Sequence, residues 1–155
     1  MRIVAVEMSA SKGSVALVDQ GEVRASFSWE EKRENRQQLF DALKALAIDW
    51  SSVDQFVVGR GPGAFSGMRI AFSVVNALAA PDKTPVVAHN SGAAVVHARG
   101  ASQSVVVGDA RRKQLWIGAF DGIELSRAFK LIEPKELPMW IQSHTVVLSP
   151  DYDRL

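Results

Sequence analysis

The chain has 155 residues, of which 47% are hydrophobic and 23% charged, and its formal net charge is +1. These values predict one or two small globular domains with a real core and argue against a disordered chain. The lack of cysteine excludes a disulfide framework, a thiolate zinc site and a cysteine nucleophile. The near-neutral charge does not favour a strong nucleic-acid binder.

The apolar run near the start is too short for the core of a signal peptide, and it leads directly into Glu7. No apolar stretch approaches the roughly 20 residues needed to span a bilayer. We therefore expect a cytoplasmic protein without a membrane partner.

The first thirty residues predict three strands, at 2–6, 14–18 and 22–29, joined by tight connections that favour an antiparallel meander. In the third strand, apolar residues alternate with polar ones, so that one face is expected to carry Val23, Ala25, Phe27 and Trp29.

Helical spacing of apolar residues then predicts a helix at 35–47. Beyond it the pattern alternates between strand and helix. Strands are expected at 55–58 and Val86–His89, and helices at 66–80 and Ser91–Arg99. Such alternation is typical of parallel pairing, so an α/β protein with a mixed sheet is predicted.

The opening pattern returns later in the chain. A gap-free alignment at an offset of 102 residues places Glu7 on Asp109 and Glu22 on Glu124. We interpret this match as an internal duplication with halves 1–103 and 104–155, the second of which is truncated. It adds a third strand at 124–131, a short helix at 134–142 and a strand at 145–148. The plan is similar to the actin-like fold, in which a ribonuclease H-like half is repeated.

A glycine-rich loop at 59–67 lies between a predicted strand and a helix. It is not a Walker A loop, because Gly67 is followed by Met68 and not by lysine. Pro62 and the preceding meander argue against a dinucleotide fingerprint. The alternative that the loop has only a structural role, as a tight turn between strand and helix, is not excluded by these patterns.

The helix after the loop is apolar around most of its circumference, with one narrow polar stripe of Arg69, Ser73 and Asn76. Such a helix is expected to be covered on two sides, by its own sheet and by either another helix of the same domain or a second chain. Arg69 lies in the first turn, where the helix dipole disfavours a cation, so a carboxylate or phosphate partner is predicted.

Three segments resemble the TsaB (YeaZ) family: the loop at 59–70 (GRGPGAFSGMRI), the start at 3–9 (IVAVEMS) and the turn at 109–112 (DARR). The resemblance implies an actin-like fold with a degenerate active site and no catalytic residues. It also implies pairing with a TsaD-type enzyme, or self-association as a homodimer, through the first two helices in support of threonylcarbamoyladenosine formation in tRNA. The loop signature comprises Gly59, Gly61, Pro62, Gly63, Phe65, Gly67 and Arg69. The implied partner interface comprises Leu39, Leu43, Arg69, Phe72, Ser73, Val74, Asn76 and Ala77.

The sequence departs from this family at Glu7, where aspartate is usual, at Met8, where threonine is common, and at 33–36, which lacks the usual histidine. No metal-binding histidine spacing is present, and no metal or cofactor is expected, except ATP with Mg²⁺ at a partner interface. The leading hypothesis is a non-catalytic scaffold subunit. The alternatives are a small ATPase or phosphotransferase that uses Glu7 and Asp109, and a self-associating module that has lost its partner.

Overall fold

The computed structural model describes residues 1–31, 37–141 and 145–152. The chain forms two compact units, unit 1 with Met1–Arg60 and Phe65–His89, and unit 2 with Gly61–Ala64 and Asn90–Leu155. This division differs from the predicted boundary between residues 103 and 104. The helix Ser91–Arg99 belongs to unit 2 because its buried residues pack with the strands that follow it.

Unit 1 contains a five-stranded mixed sheet in the order β3-β2-β1-β4-β5. Strands β1 (Arg2–Glu7), β2 (Lys12–Asp19) and β3 (Glu22–Glu30) form the predicted antiparallel meander. Strands β4 (Gln55–Gly59) and β5 (Val86–His89) add to β1 in parallel. The predicted mixed α/β sheet is therefore confirmed.

Helices α1 (Gln37–Ala45) and α2 (Phe65–Ala79) cover one face of this sheet, and the short 3-10 helix Trp50–Ser52 leads into β4. Helix α1 ends before the predicted residue 47, because Ala47 takes a left-handed conformation with φ of 49°. One core joins the strands and both helices. Its most deeply buried members are Val4, Val6, Met8, Val15, Leu39, Phe56, Val58, Ala71 and Val75.

A β-bulge changes the predicted face of β3. The register pairs Val18 with Val23 but Leu17 with Ala25, which leaves one extra residue on β3. Val23 therefore lies on the opposite face from Ala25 and is 65% exposed. The prediction that Val23 shares a face with Ala25, Phe27 and Trp29 was wrong, because alternation read from sequence does not register a bulge.

Unit 2 contains a four-stranded mixed sheet in the order β8-β7-β6-β9. Strands β6 (Gln103–Arg111), β7 (Gln114–Asp121) and β8 (Glu124–Ile132) repeat the meander, and β9 (Val146–Leu148) adds to β6 in parallel.

The two faces of this sheet are covered by different elements. Helix α3 (Ser91–Arg99) packs through Ala93 and Val96 on the face that carries Val106 and Trp116. The segment Pro134–Trp140, predicted as a short helix at 134–142, is a 3-10 helix that contains Pro138. Its Trp140 packs on the other face, together with Val105, Val107, Ile117 and Ile132.

The duplication is confirmed in strand order, but the gap-free alignment holds only for the second hairpin. The pair Asp19–Glu22 matches Asp121–Glu124 at an offset of 102. Leu17 pairs with Val4, however, while its counterpart Ala119 pairs with Val105, so the first strand is offset by 105 − 4 = 101 residues. The offset of 101 holds along β6 from Gln103 to Gly108, before the register shift between Asp109 and Arg111. Within the described part of the chain, no helix is long and apolar enough to cross a membrane.

Candidate functional site

Two glycines of the signature loop are required by close approaches within unit 1. A Cβ atom on Gly59 would collide with the carboxylate of Glu7, and one on Gly67 would collide with the backbone carbonyl oxygen of Met8. Gly67 lies in the first turns of α2, so the missing side chain lets the helix approach the end of β1. Packing within unit 1 is therefore enough to require these two glycines of the loop signature, independently of any partner protein.

Gly61 needs its glycine for a different reason, because its φ of 79° is unfavourable for other residues. Its backbone N–H donates to Ser91 Oγ at 3.0 Å, and the Ser91 N–H donates to its carbonyl oxygen at 3.1 Å. The loop segment is thereby joined to the start of α3 within unit 2. Pro62 and Gly63 follow, both partly buried.

Glu7, one of the two acids considered for a metal or nucleotide, makes a local hydrogen bond. Its Oε1 accepts the backbone N–H of Ser9 at 2.6 Å, and its carboxylate lies against Gly59. A carboxylate used in this way stabilises the turn after β1.

Asp109 makes the corresponding bond in unit 2, where its Oδ1 accepts the backbone N–H of Arg111 at 2.7 Å. The backbone N–H of Asp109 itself donates to Oδ2 of the buried Asp151 at 3.3 Å. Among the residues that the structure describes, no group of three potential metal ligands occurs.

The two acids do not occupy equivalent faces of their sheets. Glu7 alternates with Val4 and Val6 and so lies on the face opposite them. Asp109 shares its face with Val105 and Val107, the structural counterparts of Val4 and Val6. The alignment that paired the two acids is therefore wrong at this point, because β6 is shifted by one residue and a one-residue shift reverses the face.

Helix α2 shows a graded burial around its circumference. Its inner row is buried, its apolar flanks are half-buried against the core of unit 1, and its outer face is exposed. Among the predicted interface residues, Phe72 and Val74 lie on the half-buried flanks, and Arg69, Ser73, Asn76 and Ala77 lie on the outer face. The apolar flanks are therefore not sealed by unit 1.

Arg69 lacks the predicted acidic partner among the described residues. Its guanidinium instead lies over the ring of Phe65, 5.7 Å from the ring centroid. Phe65 is 71% exposed, which is unusual for a large aromatic side chain. Aromatic and arginine side chains together are typical of the energetic centres of protein interfaces.

The interface prediction was wrong for two residues of α1. Leu39 and Leu43 are only 1% and 5% exposed and belong to the core, so their side chains cannot contact a second chain. The large apolar residue of α1 that does reach the surface is Phe40, which is 45% exposed. Leu39, Leu43 and Leu46 form an i, i+4, i+7 row, and the position of Phe40 beside that row was the available signal. The segment 33–36 lies outside the described residues.

Comparison with known proteins gives matches in both sequence and structure. The family model for TsaD, described as tRNA N6-adenosine threonylcarbamoyltransferase, matches residues 33–128. Over 91 residues the chain is 32% identical to the tRNA threonylcarbamoyladenosine biosynthesis protein TsaB of Escherichia coli (strain K12), which covers 56% of this chain and 39% of that protein. The chain thus spans about two-fifths of the length of that curated relative.

The structure of YeaZ from Pseudomonas aeruginosa is 29% identical with a TM-score of 0.73, and the match covers 86% of this chain and 68% of that chain. A structure described as an uncharacterized protein with similarity to the peptidase YeaZ from Pseudomonas aeruginosa is 27% identical with a TM-score of 0.81, covering 96% and 74%. A structure from Porphyromonas gingivalis, described as a proposed N-acetylglucosamine kinase, is 16% identical with a TM-score of 0.53, covers 85% and 48%, and shows the fold alone.

The repeated meander and the two mixed sheets, together with these neighbours, define a protein of the actin-like ATPase fold. Within that fold class the family match covers more than half of the chain. The chain belongs to the TsaD family of this model, and within it to the TsaB/YeaZ group.

Proposed function

We propose that this chain is a non-catalytic partner subunit that supports threonylcarbamoyladenosine modification of tRNA by binding a TsaD-type protein. The outer surface of α1 and α2 forms the proposed contact and is called the docking face. It comprises Phe40, Phe65, Arg69, Phe72, Ser73, Val74, Asn76 and Ala77. The observation that carries the proposal is the set of half-buried apolar flanks on α2, which unit 1 covers only in part.

The chemistry of the docking face fits a protein partner. Phe40 and Phe65 are exposed aromatic side chains on two helices that cover the same face of the sheet. Ser73 and Ala77 are small, so a helix of a second chain can approach α2 closely along this row. Arg69, without an acidic partner in the described part of the chain, is available to a carboxylate of that second chain.

The positions of the two candidate acids support the non-catalytic half of the proposal. Glu7 and Asp109 both accept backbone N–H groups of the turns that follow them, and they lie on non-equivalent faces. The rival ATPase or phosphotransferase function needs these carboxylates free to hold Mg²⁺ and phosphate oxygens.

The test uses Ala77→Glu, which places a charge at the centre of the docking face at an exposed helical position. The matched control is Ala94→Glu, the same change at an exposed position of α3 in unit 2. Exposed substitutions of this kind change stability little, so both variants are expected to fold. Binding to the TsaD-type protein of the same organism is measured by calorimetry, and self-association by light scattering.

We expect Ala77→Glu to weaken the complex at least about a hundredfold, since an unpaired charge is buried at an interface, while Ala94→Glu leaves it unchanged. Equal binding by all three proteins contradicts the proposal. Tight Mg-ATP binding by the chain alone, abolished by Glu7→Ala, favours the enzymatic alternative instead.

A further inference from the structure

The turn between β6 and β7 has an unusual combination of conformation and charge. The register pairs Arg111 with Gln114, which leaves Arg112 and Lys113 as a two-residue hairpin loop. Three consecutive residues take left-handed conformations, with φ of 68° at Arg111, 52° at Arg112 and 62° at Lys113. None is glycine or asparagine, the residues that two-residue loops with positive φ strongly favour.

The two-residue turns β2–β3 and β7–β8 each contain a glycine with positive φ, although Gln20 beside Gly21 also has a φ of 53°. Gly21 has a φ of 83° in the turn between β2 and β3, and Gly122 has a φ of 54° in the turn between β7 and β8. The β6–β7 turn therefore carries cations where glycine and asparagine relieve strain. Residues held in such conformations occur where the surrounding structure fixes them and where function uses them.

Hydrogen bonds to two aspartates hold the backbone at the start of this turn. Asp151 is only 4% exposed, and its Oδ2 accepts the backbone N–H of Asp109. The Asp109 carboxylate accepts the backbone N–H of Arg111 and lies 3.8 Å from the Arg111 side chain. Arg112 and Lys113 are exposed and form no ion pair with any residue in the ranges 1–31, 37–141 and 145–152. Their charges are thus presented outward.

We infer that the β6–β7 turn is a contact site for RNA phosphates, with Arg112 and Lys113 as the contacting side chains. Adjacent cations on a fixed turn suit a chain of phosphates, each of which can be approached by a guanidinium or an ammonium group. The inference rests on the proposed function, which supplies a tRNA as the RNA. With a net charge of +1, the chain is expected to contribute two contacts to a larger complex and not to bind RNA strongly by itself.

The test replaces Arg112 and Lys113 with asparagine and glycine, the pair that this turn prefers. Arg112→Asn/Lys113→Gly is expected to raise the melting temperature while removing two charges, so lost binding cannot be attributed to misfolding. Lys83→Asn is the matched control, because Lys83 is an exposed cation with φ of 56° in unit 1. Arg112→Asn and Lys83→Asn each exchange one left-handed cation for asparagine.

The probe is a fluorescently labelled, unmodified tRNA transcript, titrated with the full chain over a series of salt concentrations. We expect the double variant to bind about tenfold more weakly at low salt, with a salt dependence lower by about 1.5 in log–log slope. Arg112→Asn should give about half of that change and Lys83→Asn none. The inference is overturned if the double variant binds tRNA as the wild type does, or if Lys83→Asn weakens binding equally.

Vesicles of anionic lipid serve as a second probe. If the double variant loses vesicle binding but retains tRNA binding, the turn contacts a membrane surface and not RNA, and the inference is overturned. Binding to the TsaD-type protein distinguishes this site from the docking face, because the double variant should retain that complex and Ala77→Glu should lose it. An intact complex with Ala77→Glu refutes the proposed function without affecting the outcome for tRNA.

Discussion

Units 1 and 2 share a meander of three strands with a fourth strand added in parallel, yet they bury their sheets differently. In unit 1 the segment between β3 and β4 (residues 31–54) contains α1, which packs with α2 on one face. In unit 2 the corresponding segment between β8 and β9 (residues 133–145) is shorter and contains a 3-10 helix. Helix α3 covers the opposite face of the unit 2 sheet.

The difference shows that the same arrangement of strands can expose different surfaces when different elements cover the sheet. Unit 1 has a single joined core, and its second helix keeps half-buried flanks and an exposed outer face on which a partner can bind. Unit 2 has two smaller cores, one on each side of its sheet, and its most unusual feature is a cationic hairpin. The proposed protein contact therefore lies in unit 1, and the proposed phosphate contact lies in unit 2.

The largest expected effect is a difference in stability between two glycine-to-alanine variants, one in each unit. Gly67→Ala places a Cβ against the backbone carbonyl of Met8, whereas Gly118→Ala places one 2.6 Å from the ring of Phe129, which is partly exposed and can move. We expect a loss of about 3 kcal/mol for Gly67→Ala and about 1 kcal/mol for Gly118→Ala, measured by urea unfolding.

The sign of the first effect is informative, because alanine is normally favoured over glycine within a helix by about 1 kcal/mol. Gly67→Ala should therefore stabilise the protein if α2 does not approach Met8 closely. A stabilised variant contradicts the packing described for unit 1, and equal losses at both glycines contradict the contrast between backbone and side-chain neighbours.

Much of this contrast was predictable from sequence, and the failures have local causes. The antiparallel meanders, the mixed sheets and the glycine-rich loop follow from apolar periodicity, turn residues and the glycine spacing between 59 and 67. Val23 was misplaced by a bulge, and Asp109 by a one-residue register shift, neither of which alters the apolar pattern. Leu39 and Leu43 were placed at the interface because the family resemblance implied contact through the first two helices, and it does not say which side chains of those helices the core covers.

An intermediate loss of stability is expected from replacing Glu7 and Asp109, the two acids that the gap-free alignment paired. Glu7→Ala and Asp109→Ala each remove one hydrogen bond to a turn, at Ser9 and Arg111 respectively. Each variant should lose about 1 kcal/mol in chemical unfolding, the usual contribution of such a bond. The loss should be the same with and without Mg²⁺ in the buffer. A loss that appears only in the presence of Mg²⁺ means that the carboxylate holds a cation, and the non-catalytic proposal then fails for that unit.

The smallest effect concerns the connection that distinguishes unit 1, where Asp49 caps the 3-10 helix Trp50–Ser52. Hydrogen bonds from the Ser51 hydroxyl and backbone N–H hold the pKa of Asp49 below its ordinary value of 3.8. A carboxyl group with a lowered pKa in the folded state stabilises the protein above its unfolded pKa, and this contribution disappears as the pH falls through the folded value.

Asp49→Asn, which can still cap the helix, should therefore flatten the decline in melting temperature below about pH 4. Ser51→Ala should have a partial effect, because it removes only the hydroxyl bond. Acid melting curves that coincide for the wild type and both variants contradict this assignment.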